Sequence, residues 1–226
     1  MRQVILAGLA LMIGAAAVAA QDKPLPPLEE QVIEQSASLK ALSQVQNYMA
    51  TVKSLKGSFR QTAPNKNVSN GTLYMARPGK IRFDFEGDVP FLVVADGKTL
   101  NFIDYEIGQV SKWPVKDTPL RALLGNSFDA ASINAHIEVA PHGVERILAL
   151  TASDPENPEA GQITIYFEQP QDADGDLKML SWVVLDAQGE TTTIDILDQE
   201  TNIVLASSLW TFDDPRGIAK RQRTRR

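Results

Sequence analysis

Apolar and polar residues alternate with a period of two over most of this chain, and two stretches break the rhythm. KIRFDFEG is the clearest alternating segment: Ile81, Phe83 and Phe85 fall on one face, Arg82, Asp84 and Glu86 on the other. Such a pattern predicts a strand buried on one side. GSFRQT, GTLYMAR, PFLVVA, TLNFIDY, GQVSKW, INAHIEVA, ERILALTA, QITIYFE, KMLSWVVLD, GETTTIDILD and NIVLASSLWTF are further strand candidates. Pro78-Gly79, Asp96-Gly97, Asp174-Gly175 and Gln188-Gly189 supply turn signals between them, as in an antiparallel meander. The first departure is Leu39, Leu42, Val45, Met49, Val52 and Leu55. Their steps of three and four predict one long helix from Val32 to Leu55, ended by Gly57. The second is DTPLRALLGN, a short apolar helix carrying Leu120, Leu123 and Leu124, with Pro119 near its first position. A sheet with one apolar face needs cover on that face. The predicted class is therefore α+β: an open, strongly curved antiparallel half-barrel sheet, with the helices plugging its concave apolar face as a lid.

Composition removes most chemistry. The chain has no Cys and two His, His136 and His142, so thiol catalysis, disulfides and Cys-ligated metals are excluded and histidine chemistry has little to work with. With 22 Lys+Arg against 28 Asp+Glu the net charge is −6, which argues against a nucleic-acid partner. DGKT at Asp96 to Thr99 lacks the earlier glycine of a phosphate loop, since Leu92 stands there. DADGD at Asp172 to Asp176 lacks the Gly and Glu of a calcium loop, which Leu177 and Val183 replace. No cofactor, metal or catalytic residue is expected.

The ends read differently from the body. Arg2 followed by VILAGLALMIGAAAVAA predicts a secretory signal peptide over residues 1–20, cleaved after Ala19 or Ala20. Its strongly apolar part is shorter than the ~20 residues needed to cross a bilayer. Pro24, Pro26 and Pro27 make residues 21–31 an extended leader, residues 32–219 form the domain, and KRQRTRR at 220–226 is a basic tail. The expected compartment is the periplasm.

LKGSFRQ, GTLYMARPGKIRFDF, FLVVADGKTLNFID, TPLRALLGN and FDDPRG follow one another across residues 36 to 218. This order resembles the periplasmic outer-membrane lipoprotein carrier protein family. The resemblance implies a chaperone, not an enzyme. It would accept acylated lipoproteins from an inner-membrane ABC-type lipoprotein-releasing complex, shield their acyl chains and deliver them to the outer membrane. In many species an outer-membrane receptor lipoprotein of similar fold takes the cargo; lack of a lipidated Cys favours the carrier. The protein is expected to be a monomer. Arg77 matches the family's lid-gating arginine, with accepting carbonyls expected near Leu42 to Val45 and Leu120 to Leu124. Phe59, Leu73, Met75, Ile81, Phe83, Phe85, Leu92, Val94, Leu100 and Phe102 are the expected acyl-chain cavity. Leu42, Val45 and Met49, with Leu120, Leu123 and Leu124, are the expected lid residues. Asp84 and Glu86 are expected to make the mouth acidic. A lipid-binding sensor or regulator of the same fold, or a periplasmic hydrolase, are the alternatives.

Overall fold

The structure, a computed structural model, describes residues 27–125, 128–142, 145–170 and 176–216. The predicted signal peptide, most of the leader and the basic tail lie outside the described residues. The elements in chain order are α1 (Leu28–Thr51), β1 (Ser54–Thr62), β2 (Val68–Ala76), β3 (Lys80–Phe85), β4 (Phe91–Asp96), β5 (Thr99–Asp104), β6 (Gln109–Pro114), α2 (Arg121–Leu124), β7 (His136–His142), β8 (Glu145–Ser153), β9 (Gln162–Gln169), β10 (Lys178–Leu185) and β11 (Thr191–Thr201). They form one antiparallel sheet of 11 strands in the order β6-β5-β4-β3-β2-β1-β11-β10-β9-β8-β7. Among the described residues the only non-sequential pairing is β1 with β11, so the chain runs out along one wing and back along the other. β6 and β7 each have one strand neighbour among the described residues, and the sheet is open.

Ring contacts reveal the curvature. Phe83 on β3 and Trp182 on β10 are four strand spacings apart, about 19 Å in a flat sheet. Their ring centroids are 6.2 Å apart. The sheet must fold toward the face that carries them. That concave face bears Leu55, Phe59, Leu73, Met75, Ile81 and Phe83 from one wing. Leu148, Leu150, Ile163, Ile165, Phe167, Met179, Trp182, Ile194 and Ile196 line it from the other. Gly71 keeps the sheet tight at Phe59: a Cβ there would lie 2.1 Å from the Asp84 carbonyl oxygen and 2.7 Å from the Phe59 ring.

Three boundaries differ from the sequence reading. α1 begins at Leu28, inside the segment read as leader, because Pro27 sits just before the first turn, where its fixed φ suits a helix start. It ends at Thr51, not Leu55. Val52 and Leu55 mimic the helical spacing, but Leu55 already belongs to β1, paired with Met75 and Thr201. NIVLASSLWTF is not a strand. β1 has both neighbours already, so after β11 the chain leaves the sheet and forms a short 3-10 turn at Ser207–Trp210. Arg82 donates to the Leu209 and Thr211 carbonyls, both at 3.1 Å, and Lys80 lies 5.8 Å from the centroid of the Trp210 ring. This segment straps the convex face of β3 and β4.

Candidate functional site

α1 and α2 occupy the concave face. Ala41, Val45, Tyr48 and Met49 are the buried face of α1, spaced four, three and one apart, as a helix presents one side. Leu39 stands 63% exposed, outside that stripe. Leu42 packs against the core from the helix flank. In α2, Ala122, Leu123 and Leu124 are buried, and Leu120 packs at its start. Arg121 anchors this short helix from outside, bonding Asp154 at 2.8 Å and the Ser132 carbonyl at 2.6 Å.

Arg77 joins the two helices. It follows directly on β2, in the turn to β3, and its peptide bond to Pro78 is cis. The side chain is 8% exposed. Nε donates to the Leu123 carbonyl of α2 at 3.0 Å, Nη1 to the Val52 carbonyl at the end of α1, and Nη2 to Met49 Sδ at 2.9 Å. The carbonyl on α1 is therefore that of Val52, not one near Leu42 to Val45. Only the end of a helix leaves carbonyls free to accept from outside. Burial lowers the guanidinium pKa, opposed by Tyr48. The backbone reinforces the junction: Arg77 N donates to the Lys53 carbonyl, and Gly79 N to the Leu124 carbonyl, both at 2.8 Å. Gly79 has φ +72, and a Cβ there would lie 2.3 Å from the Gly97 carbonyl oxygen, so the turn admits only glycine.

Of the expected cavity residues, Phe59, Leu73, Met75, Ile81 and Phe83 are buried beneath these helices, with Phe85 and Leu100 packed at the margin. Phe59 meets Phe83 and Phe85 edge-on, at 5.2 and 5.3 Å. Phe102 lies farther out, 38% exposed, tilted against Phe91 at 5.6 Å. Leu92 and Val94 do not belong to this set. They point to the convex face and form a separate cluster with Ile103, Val110 and Phe212. The concave positions of β4 are Val93 and Ala95, opposite Phe83 and Ile81. FLVVA is apolar at every position because both faces of β4 are covered, so it has no period to reveal its register. Asp84 is likewise on the convex side, ion-paired to Arg82 at 2.7 Å, and does not acidify the mouth.

Sequence reasoning missed two groups. The β8–β11 wing contributes as much apolar lining as the first; the alternation in QITIYFE carried that signal. Tyr48 was overlooked as a member of the α1 face. Its ring meets Phe167 edge-on at 5.1 Å, and Arg77 Cζ lies 5.7 Å from its centroid. Beyond the helices, Phe91, Phe102 and the 48% exposed Trp113 leave an apolar strip on the β4–β6 wing.

Comparison with known proteins identifies this arrangement. The family model described as Outer membrane lipoprotein carrier protein LolA matches residues 50–213. The outer-membrane lipoprotein carrier protein of Pasteurella multocida is 30% identical over 184 residues, covering 79% of this chain and 85% of that protein. The protein of the same name from Chromobacterium violaceum is 25% identical over 189 residues, covering 80% and 87%. A crystal structure of a LolA superfamily protein from Nitrosomonas europaea superposes with a TM-score of 0.41 at 12% identity, covering 80% of this chain and 98% of that one. The chain belongs to the outer membrane lipoprotein carrier protein family.

Proposed function

We propose that this protein is a periplasmic chaperone that holds the acyl chains of lipoproteins against its concave face and carries them to the outer membrane. In this reading residues 1–20 are removed at export and the domain works as a monomer. The donor is an ABC-type lipoprotein-releasing complex of the inner membrane, and the outer membrane, in many species of this family through a receptor lipoprotein, accepts the cargo. The protein supplies no catalysis; it supplies an apolar surface that exchanges one cover for another. The observation that carries the reading is the junction at Arg77, where one side chain ties both helices over that surface.

The physics suits transport. Burying an acyl chain contributes about 0.8 kcal/mol per CH₂. Several chains in an unoccupied cavity would never leave. Val45, Met49, Leu123 and Leu124 already fill the concave face, so cargo must displace apolar side chains, and net affinity stays moderate. Leu42, Val45, Met49, Leu120, Leu123 and Leu124 are the lid in this account. Phe59, Leu73, Met75, Ile81, Phe83, Phe85, Leu100 and Phe102 are the lining, joined by Val93, Phe167 and Trp182.

The mature protein is expected to bind an environment-sensitive apolar dye without losing its fold, and a triacylated lipopeptide is expected to displace it. Fluorescence titration beside circular dichroism reads both. A native protein that binds neither dye nor lipopeptide would contradict the proposal. Turnover of an ester or glycoside library would favour a hydrolase.

A further inference from the structure

Tyr48 is 4% exposed, and its hydroxyl is buried without a hydrogen-bond partner among the described residues. Such a group weakens the state that buries it. Phenylalanine would pack against Phe167 equally well and carry no such cost. The hydroxyl therefore makes sense in an arrangement that gives it an acceptor. Its surroundings indicate which. Tyr48 lies in the last turns of α1 beside Arg77, where the helix meets the rim. It borders a cleft of about 590 Å³ between α1 and the ends of β10 and β11, whose other walls include Ser43, Asn47, Thr51 and Asn202, with Lys40 and Asp176. On its inner side is the aromatic lining at Phe167. A donor thus stands between an apolar surface and a polar cleft lined by hydroxyls, amides and one charged side chain of each sign.

An acylglycerol has that same division. Its chains are apolar, its head is neutral and polar, and an ester carbonyl that only accepts joins the two. We propose that the Tyr48 hydroxyl donates to an acyl-ester carbonyl of the bound cargo, whose glycerol head occupies this cleft. The inference rests on the carrier reading above and adds a subsite to it. Tyr48 is suited to the task because burial pushes its phenol up to about 12, so it remains a neutral donor at physiological pH. Arg77 also approaches the Tyr48 ring, but three of its five N–H donors are already engaged by Leu123, Val52 and Met49.

The test compares two probes differing only in the carbonyl, 1-palmitoylglycerol and 1-O-hexadecylglycerol, as competitors for the apolar dye on the full mature chain. Wild-type protein is expected to prefer the ester about three- to tenfold, the worth of one net hydrogen bond. Tyr48→Phe is expected to lose that preference by at least threefold, with a melting temperature equal to or above wild type. An unchanged ester-to-ether ratio in Tyr48→Phe would overturn the proposal. So would an equal fall in affinity for both probes, which would mean that the hydroxyl only loosens the lid. If neither probe displaces dye from the wild type, it is the carrier reading that fails.

Discussion

Arg77→Leu is expected to load cargo at least as well as wild type and to release it poorly. With both helices seated, the guanidinium bonds the Val52 and Leu123 carbonyls and Met49 Sδ. Hydrogen bonds from a charged donor contribute about 1.5–3 kcal/mol each, and burying the guanidinium offsets part of that. A net bias of about 2 kcal/mol toward the closed lid is roughly thirtyfold in the closed-to-open ratio. Those bonds exist only when the helices are seated, so their loss raises affinity for apolar ligands by a similar factor. It also removes the gain that accompanies release. Leucine adds apolar surface at the rim and cannot donate, leaving two buried carbonyls without this partner. Arg77→Lys keeps the charge, loses the planar fork and should fall between. Transfer from matched, preloaded variants to outer-membrane acceptor reads the effect. Wild-type transfer by Arg77→Leu would reduce Arg77 to a structural turn residue.

Phe83→Ala has the largest expected effect on stability. Phe83 sits where the two wings meet, with Phe59 at 5.2 Å and Trp182 at 6.2 Å. Deleting a buried phenyl ring costs about 3–5 kcal/mol, or a fall in melting temperature of about 10 °C for a chain of this size. A purely structural core residue would show the same loss with or without ligand. If Phe83 faces the acyl chains, a chain can fill the hole. Excess 1-palmitoylglycerol should then raise the melting temperature of Phe83→Ala by several degrees more than that of wild type. An equal ligand-induced rise in both proteins would show that Phe83 packs the fold without touching cargo. The comparison works while the variant remains folded, and alanine introduces no buried charge.

Where burial was one-sided, the sequence revealed it. KIRFDFEG has its apolar residues on the concave face and its charges on the convex one, as alternation requires. Arg77 and the RALL helix were placed by their order beside that strand, which only family resemblance could interpret. Register was lost in PFLVVA, because a strand covered on both sides has no polar positions to mark it. The cover over its convex face comes from residues beyond β11, whose apolar run imitates a strand but wraps the sheet instead. The acceptor on α1 was misplaced because helix length was read from apolar spacing alone, and spacing carried over Val52 into β1. Tyr48 escaped because an aromatic with a polar tip counts as neither core nor chemistry until its hydroxyl is found buried and alone.

The central claim is that cargo replaces the helices on one concave apolar surface. The most direct test adds the pure mature protein to spheroplasts whose inner membranes have accumulated lipoproteins, with ATP present, and identifies what becomes soluble. The account predicts lipoproteins released in a one-to-one complex with the protein, retained through gel filtration and lost when 1-palmitoylglycerol competes for the cavity. Lipoproteins that remain in the membrane fraction, while the protein stays monomeric and empty, would contradict it.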